Sequence, residues 1–207
     1  MGGQPLIGYA LAEAARAGFE LAVVVISPAK KQLRDYLIGT TPPLPVEIAL
    51  QDQPLGIGDA VVRCWQGEPL GVLLPDDVVL QAQHWTNLLE VHRHSGAAAL
   101  CVRSVPSETT SRFGIAECDG DRVIRLIEKP VPGATASNLA IFGRYVVTAA
   151  VIAGLGDRRA DGELELTYGF SAAIPTPPVV RAIRFNGRTF DCGTPAEYAA
   201  SIANFTD

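Results

Sequence analysis

The chain has 207 residues and a mass of 21.9 kDa, with 48% hydrophobic, 19% charged and 7% aromatic residues. This composition is typical of a globular domain with a substantial core and excludes a disordered, collagen-like or coiled-coil chain. Seventeen Lys and Arg against 22 Asp and Glu leave a formal charge of −5, so we expect neither a nucleic acid nor an anionic membrane as a partner. We predict one domain over residues 1–207.

The cysteines and the N-terminus predict a compartment. Four cysteines lie far apart without a Cys-x-x-Cys pair, and a chain of this size is stable without disulfides, so we interpret them as free thiols in a reducing environment. No basic segment precedes an apolar run at the N-terminus, and no apolar stretch is long enough to span a bilayer. The expected location is the cytoplasm.

The first half of the chain alternates between helical spacing and short apolar runs. Residues 5–18 carry apolar side chains at helical spacing and end at Gly18, and the valine-rich run 21–26 predicts a buried strand. The next predicted elements, in chain order, are a helix starting at Pro28 and ending near residue 37, a strand over 46–50, a helix over 58–66, a strand over 71–74, a helix over 83–94 and a strand over 97–105. This alternation predicts an α/β fold, a Rossmann-like and mostly parallel sheet sandwiched by helices, with ligands at the carboxyl ends of the strands.

After Ser104 the pattern changes to consecutive strands separated by turns. The strand-like segments are 114–117, 122–127 and 138–147, and they predict a small antiparallel extension of the sheet. The remaining predicted elements are a helix after Thr148, a helix over 163–173, a strand over 180–185 and a helix from Pro195.

Two acidic segments are candidate metal ligands. Asp76 and Asp77 directly follow a predicted buried strand, where carboxylates suit Mg²⁺, although aspartate is equally common in ordinary turns. Asp191 precedes a glycine turn and offers a second carboxylate for the same metal, while its segment also fits a plain helix start with Thr194 as the cap.

Two other segments are candidate substrate sites. Glu128-Lys129-Pro130 ends a predicted strand, where the lysine suits a phosphate and the glutamate suits sugar hydroxyls, or the two form an exposed ion pair on a turn. Gly56 and Gly58 precede a predicted helix, where they either let a ligand approach the backbone or simply cap the helix. A third glycine of the dinucleotide fingerprint is missing, which disfavours an NAD-dependent oxidoreductase.

The order of the motifs is more specific than any one of them. They are Pro5-Leu6-Ile7, Gln51 with Pro54-Leu55-Gly56, Leu74-Pro75-Asp76-Asp77, Ser111-Arg112-Phe113-Gly114, Glu128-Lys129-Pro130, Ser137-Asn138-Leu139-Ala140, Gly143-Arg144-Tyr145, Gly162-Glu163-Leu164-Glu165-Leu166-Thr167 and Phe190-Asp191-Cys192-Gly193. In this order, from Pro5 nearly to the end, the chain resembles the bacterial UTP–glucose-1-phosphate uridylyltransferases, within the wider sugar-nucleotidyltransferase family.

The resemblance implies a reaction, a fold and a cofactor. Glucose 1-phosphate would attack the α-phosphorus of UTP and give UDP-glucose and pyrophosphate, with Mg²⁺ as the cofactor and without a covalent nucleophile on the enzyme. The implied fold is the nucleotide-diphospho-sugar transferase type, and the family commonly assembles into dimers or tetramers.

The resemblance also implies a role for each matching residue. Gln51 would recognise the uracil edge and Gly56 would let the base approach the backbone. Asp76 and Asp191 would hold the metal. The remaining implied residues serve the sugar phosphate: Gly114 and Glu128 at the sugar and Lys129 at its phosphate. Asp76 and Lys129 would be the catalytic residues.

The chain departs from the family pattern at three places. Family members begin with a buried strand and a G-x-G-T-R loop, whereas this sequence begins with Met1-Gly2-Gly3-Gln4-Pro5, so the expected sheet lacks the family's first strand. Tyr168 stands where the family usually has aspartate, and Asp59 where histidine is common. The alternative function is therefore a non-catalytic protein that binds a sugar nucleotide or a sugar phosphate.

Overall fold

The computed structural model describes residues 4–156 and 162–205. Its helices are α1 (Leu6–Arg16), α2 (Lys31–Gly39), α3 (Ile57–Cys64), α4 (Gln83–Ser95), α5 (Ala149–Gly154), α6 (Leu166–Ala173) and α7 (Pro195–Ala203), with a short 3-10 helix over Ser107–Arg112. Its strands are β1 (Ala22–Ile26), β2 (Val46–Leu50), β3 (Leu70–Leu73), β4 (Asp77–Val78), β5 (Ala99–Ser104), β6 (Gly114–Asp119), β7 (Arg122–Glu128), β8 (Leu139–Val147), β9 (Arg181–Arg184) and β10 (Phe190–Asp191).

The predicted elements are confirmed within a few residues, except that α2 and α6 each begin three residues later than predicted, α6 at Leu166, and three short elements were not predicted. Helix α2 begins at Lys31 and not at Pro28, because Ser27 closes a turn there: its carbonyl accepts from Lys30 N–H at 2.9 Å and its hydroxyl from Ala29 N–H at 3.3 Å. The sequence did not predict β4, β10 or the 3-10 helix. None of the helices in the described ranges combines the length and the apolar character that a membrane crossing requires.

The chain divides into two compact units, and each is discontinuous in sequence. Unit 1 comprises Met1–Pro54, Leu73–Gln83 and Gly187–Asp207, and unit 2 comprises Leu55–Val72 and His84–Asn186. The prediction of a single domain over 1–207 stays a prediction.

Unit 1 contains a parallel strand pair and an antiparallel one. Strands β1 and β2 are parallel, in a register that runs from Ala22↔Val46 to Ile26↔Leu50. Ile26 is buried and the other residues of β1 are half-buried. The predicted strand therefore forms, but its side chains are more exposed than in the buried strand that the sequence predicts. The core of this part is formed by apolar side chains from α1, α2 and the loop before β2, namely Leu11, Leu37 and Leu44.

Unit 2 is built on a six-stranded mixed sheet with the order β3-β8-β5-β9-β7-β6, in which β6 also pairs with β8. Strands β5 and β9 are parallel, and the pairs β5–β8, β6–β7, β6–β8 and β7–β9 are antiparallel. Large side chains without solvent exposure fill the core beside this sheet: Trp85, Leu88, Leu100, Phe142 and Phe170.

The predicted mixed α/β fold and its antiparallel extension are therefore confirmed. Among the described residues, antiparallel pairs are more numerous than a mostly parallel sheet implies. Strand β8 pairs antiparallel with both β5 and β6, and β7 returns directly from β6 through residues 120 and 121 to form a hairpin. Direct returns of this kind produce antiparallel neighbours, whereas a parallel neighbour needs a longer crossover.

Candidate active site

Two acidic segments of unit 1 meet in the antiparallel pair of β4 and β10. Asp77 lies opposite Asp191, Val78 lies opposite Phe190, and the Cys192 N–H donates to the Asp76 carbonyl at 2.8 Å. The structure thus brings together Asp76 and Asp191, the two carboxylates that the sequence offered for one metal without showing that they meet. Each strand has two residues, so the pair depends on packing around it more than on its own hydrogen bonds.

Gly193 marks the point where the carboxylates converge. A Cβ built on Gly193 would lie 3.5 Å from Asp191 Oδ1, 3.7 Å from Asp76 Oδ2 and 3.7 Å from Glu197 Oε2. The Gly193 N–H donates to Asp191 Oδ1 at 3.1 Å, which orients that carboxylate. Because glycine has no side chain, residue 193 places no Cβ in the space that these oxygen atoms border.

This donor set fits a magnesium ion. Mg²⁺ prefers hard oxygen ligands and is usually held by one or two carboxylates together with water and substrate phosphate. Within residues 4–156 and 162–205, no group of three or more His, Cys, Asp or Glu side chains is arranged to hold a metal. The fit therefore rests on the pair of Asp76 and Asp191, with the remaining ligands left to water and phosphate.

An apolar cluster and helix α7 support the carboxylate pair. Tyr9, Val78, Phe190 and Cys192 form a buried cluster, which holds both strands. Thr194 caps α7 by accepting from the Glu197 N–H at 3.2 Å and Pro195 is the first helical residue, so the helix start that the sequence predicts is confirmed.

A second group of predicted residues meets in unit 2, at the end of β7. Gly114 and Glu128 are paired across β6 and β7, and the Thr167 hydroxyl donates to Glu128 Oε2 at 2.9 Å. A Cβ on Gly114 would lie 3.0 Å from Glu128 Oε2 and 2.9 Å from Ile141 Cδ1. The absence of a side chain at Gly114 therefore lets the Glu128 carboxylate occupy its observed position.

Lys129 follows Glu128 in an unusual backbone conformation. Its φ is +42°, in the left-handed region, and it is the only non-glycine residue with a positive φ in the described part of the chain. Its N–H donates to the Phe113 carbonyl at 3.1 Å, which holds this conformation. Backbone strain of this kind concentrates at functional sites. The Lys129 ammonium is 3.9 Å from Glu128 Oε1 and its side chain is 63% exposed, so the ion pair is weak and leaves the cation accessible.

Gly56 has a structural reason to be glycine. Its φ is +89°, and a Cβ there would lie 2.6 Å from the Leu164 carbonyl oxygen. Hydrogen bonds on either side fix this close approach, from Leu164 N–H to Leu55 O at 2.8 Å and from Gly58 N–H to Leu164 O at 2.7 Å. The backbone that approaches Gly56 is thus that of Leu164, and a contact of Gly56 with a nucleotide stays a prediction.

Gln51 directly follows β2, where its N–H donates to the Ile26 carbonyl at 3.0 Å. Gln51 belongs to unit 1 and Gly56 to unit 2. The structure therefore groups Asp76 and Asp191 in unit 1 and Gly114, Glu128 and Lys129 in unit 2, and the nucleotide contact of Gln51 stays a prediction like that of Gly56.

Sequence reasoning did not assign a role to Thr167 or Ser201, although both make contacts at these sites. Thr167 is the last residue of the motif Gly162–Thr167, so the order of motifs could have marked it as a candidate site residue. Nothing local marks Ser201, because its contact with residue 191 spans a full helix.

One cavity of unit 2 contains none of the predicted site residues. It has a volume of about 600 Å³ and lies among α4, the turn between β6 and β7, and β9, with Asn87, Glu90, Asp121 and Arg184 in its lining. Arg181 forms an ion pair with Asp121 beside it. Its polar groups are exposed and of both signs, so it does not mark the chemistry described above.

A mixed α/β fold with carboxylates at strand ends is typical of proteins that bind nucleotides. The chain belongs to the nucleotidyl transferase family, whose sequence profile matches residues 1–207.

Three known proteins of related sequence or structure show what the chain is similar to within this family. The chain is 32% identical to a UTP–glucose-1-phosphate uridylyltransferase of Komagataeibacter xylinus, over 92% of this chain and 79% of that protein. A solved structure of UDP-glucose pyrophosphorylase from Acinetobacter baumannii is similar with a TM-score of 0.82 and 26% identity, over 97% of this chain and 82% of that one. A UTP-bound structure of the enzyme from that species has a TM-score of 0.81 and 26% identity, with the same coverage of both chains. The family resemblance in the sequence is confirmed.

Proposed function

We propose that the chain transfers a uridylyl group from UTP to glucose 1-phosphate and releases UDP-glucose and pyrophosphate. The observation that carries the proposal is the convergence of Asp76 and Asp191 on the open space at Gly193, in a chain 32% identical to a uridylyltransferase over most of its length. The set of Gly114, Glu128 and Lys129 supplies complementary chemistry for a sugar phosphate.

The reaction requires positioning and charge stabilisation. A phosphate oxygen of glucose 1-phosphate attacks the α-phosphorus of UTP, the bond from that phosphorus to the bridging oxygen of the β-phosphate breaks, and pyrophosphate leaves with the bonding electrons. Phosphoryl-type transfers are accelerated mainly by holding the two oxygens in line and by neutralising charge on the other oxygens. No covalent bond to the protein is needed.

Asp76 and Asp191 are the residues that would hold Mg²⁺. When bound, the ion neutralises phosphate charge and orients the oxygens that it ligates. The Cys192 N–H holds the backbone of Asp76 through its carbonyl, and the Gly193 N–H orients the Asp191 carboxylate, so the Asp76 backbone and the Asp191 side chain are held in place before a metal binds.

Lys129 and Glu128 would serve the sugar phosphate. The Lys129 ammonium is a compact cation that suits the phosphate group, and its weak pairing with Glu128 leaves it accessible. Glu128 would accept hydrogen bonds from sugar hydroxyls through the oxygen capacity that Thr167 leaves free. Gly114 provides space beside that carboxylate.

The nucleotide contacts rest on motif matching. Gln51 would pair with the uracil edge through its side-chain amide, which can both donate and accept. Gly56 would allow the base to approach the backbone, at a position whose left-handed φ of +89° favours glycine.

The proposal is tested by pyrophosphate release from UTP and glucose 1-phosphate with Mg²⁺. We expect turnover by the 207-residue chain, and a fall of at least about a hundredfold for Asp76→Asn, which loses one charge of the metal pair. Asp119→Asn, at the exposed end of β6, is the matched control and should keep full activity. A folded wild-type chain that binds UDP-glucose without turnover would instead be the sugar-nucleotide binding protein that the sequence left open.

We also propose that the protein acts in the cytoplasm and self-associates. The four cysteines of the sequence are all free thiols in the structure, which favours a reducing compartment. Light scattering on the purified chain measures the oligomeric state, and cell fractionation tests the location.

A further inference from the structure

One contact between helix α7 and the candidate metal site is made by Ser201. The Ser201 hydroxyl donates to the Asp191 carbonyl at 2.6 Å, in a half-buried environment. Ser201 lies near the end of α7, whose first turn follows Gly193 directly. The C-terminal part of the helix therefore contacts Asp191, whose carboxylate borders the candidate metal site.

The Asp191 segment is held from two other directions as well. Asp191 pairs with Asp77 across β10 and β4, and the next residue, Cys192, donates its N–H to the Asp76 carbonyl at 2.8 Å. The Cys192 N–H and the Asp191 carbonyl belong to one peptide unit, so the bond to Asp76 holds one side of this peptide and the Ser201 hydroxyl holds the other. A rotation of this peptide would break both bonds and shift the next peptide, whose Gly193 N–H orients Asp191 Oδ1 at 3.1 Å. The Ser201 hydroxyl opposes that rotation.

The restraint by Ser201 matters because several carboxylates of the same charge lie close together around Gly193. Asp76 Oδ2, Asp191 Oδ1 and Glu197 Oε2 all border the same point, within 3.7 Å of the Cβ position of Gly193. Nearby negative charges repel one another when no cation lies among them. A backbone restraint that holds Asp191 in place keeps the pair ready for a metal despite that repulsion.

We propose that Ser201 is a positioning residue, which sets the affinity of the Asp76 and Asp191 pair for a divalent cation by holding the Asp191 carbonyl. The inference rests on the proposed function in one respect, the metal at this pair, and concerns a residue to which the motif comparison gives no role.

The test measures metal binding and turnover separately. Mn²⁺ is titrated into the full 207-residue chain without nucleotide, because free UTP would itself bind the ion, and free Mn²⁺ is followed by electron paramagnetic resonance, for wild type, Ser201→Ala, Ser201→Thr and Asn204→Ala. Asn204→Ala is the matched control, because the Asn204 amide donates to the Ala200 carbonyl on the same helix, at 2.9 Å. Thermal unfolding of all four proteins and the dependence of pyrophosphate release on Mg²⁺ concentration complete the set.

We expect Ser201→Ala to weaken Mn²⁺ binding roughly three- to tenfold, the range for loss of one hydrogen bond. Ser201→Thr, which keeps the hydroxyl, should restore it. Asn204→Ala should lower the unfolding temperature about as much as Ser201→Ala with Mn²⁺ affinity unchanged. Ser201→Ala should raise the Mg²⁺ concentration needed for half-maximal turnover, with kcat at saturating Mg²⁺ within about twofold of wild type.

The inference would be overturned if Ser201→Ala bound Mn²⁺ as tightly as wild type does. It would also be overturned if Asn204→Ala lost as much Mn²⁺ affinity as Ser201→Ala. Absence of Mn²⁺ binding by wild type would overturn it too. Mn²⁺ binding without pyrophosphate release would refute the proposed function alone, and the binding data for the variants would still decide the role of Ser201.

Discussion

Thr167 and Glu128 are joined by a hydrogen bond across unit 2: the threonine Oγ1 in the first turn of α6 donates to the glutamate Oε2 at the end of β7, at 2.9 Å. The other carboxylate oxygen, Oε1, lies 3.9 Å from the Lys129 ammonium. One carboxylate thus contacts two elements, and its orientation depends on a side chain 39 positions away in the sequence.

Replacing Thr167 by valine should weaken the use of glucose 1-phosphate. Valine has the shape of threonine but cannot donate, so Glu128 loses a bond to a charged acceptor, a class of bond worth about 1.5–3 kcal/mol. We expect KM for glucose 1-phosphate to rise about tenfold or more, measured by pyrophosphate release. Thr135→Val is the matched control, because Thr135 donates to Glu117 Oε1 at 2.8 Å in the same unit. Its KM should stay within about twofold of wild type, and an unchanged KM in Thr167→Val would contradict the role given to Glu128.

Gly114→Ala should displace the Glu128 carboxylate. The added Cβ would lie 3.0 Å from Glu128 Oε2 and 2.9 Å from Ile141 Cδ1, both closer than ordinary contacts. Overpacking of this kind costs about 1–3 kcal/mol, and we expect catalytic activity to fall at least about tenfold. Gly39→Ala, at the end of α2 with no atom within 4 Å of its Cβ position, should change the free energy of unfolding by less than about 0.5 kcal/mol. Full activity of a folded Gly114→Ala protein would argue against this site.

Gly56→Ala should destabilise the chain more than Gly67→Ala. Both glycines have positive φ, of +89° and +100°, but a Cβ would meet the Leu164 backbone at Gly56 and nothing within 4 Å at Gly67. A left-handed helical conformation costs an L-residue about 1–2 kcal/mol, and the ψ of 169° at Gly56 lies outside that region, where side chains are still less favourable. We expect that loss for Gly67→Ala and a larger one for Gly56→Ala, measured by urea unfolding. Equal losses would mean that the Leu164 segment moves away without cost.

The thiols should react as weak nucleophiles in the folded chain. Burial raises the pKa of Cys64, Cys118 and Cys192 above the ordinary value of 9.0. Their alkylation by iodoacetamide, followed at each site by mass spectrometry, should need higher pH in the native chain than in urea. Because the folded pKa is the higher one, deprotonation favours the unfolded chain, so the free energy of unfolding should fall as pH rises past 9.0. Faster alkylation of the native chain than of the unfolded one at pH 8 would contradict this.

The elements that were predicted well are those whose signals are local. Strand β2 spans the predicted residues, Val46–Leu50, and α7 begins at Pro195 after the Thr194 cap. Apolar spacing and caps act within a few residues, so one sequence is enough to recognise them. Pro28 shows the limit of such rules, because the turn formed by Ser27 competes with a helix start and delays α2 to Lys31.

The sequence named the residues of the candidate site but not their contacts with one another. Asp76, Asp191, Glu128 and Lys129 were all named from residue type and motif order, yet β4 and β10 have two residues each, too few to show periodicity. Their pairing exists only because distant segments meet. The bond from Thr167 to Glu128 is of the same kind, since tertiary packing and not a local rule selects the partner.

The discontinuity of unit 1 has a consequence for biosynthesis. The strand that carries Asp77 emerges from the ribosome well before the segment Gly187–Asp207, which carries Asp191 and α7. All of unit 2 lies ahead of that last segment in the order of translation, so it can begin to fold while the acidic pair is still incomplete. A nascent chain that is stalled or cleaved before residue 187 would therefore carry Asp76 without Asp191, and a metal could bind at this pair only after the segment Gly187–Asp207 has been made.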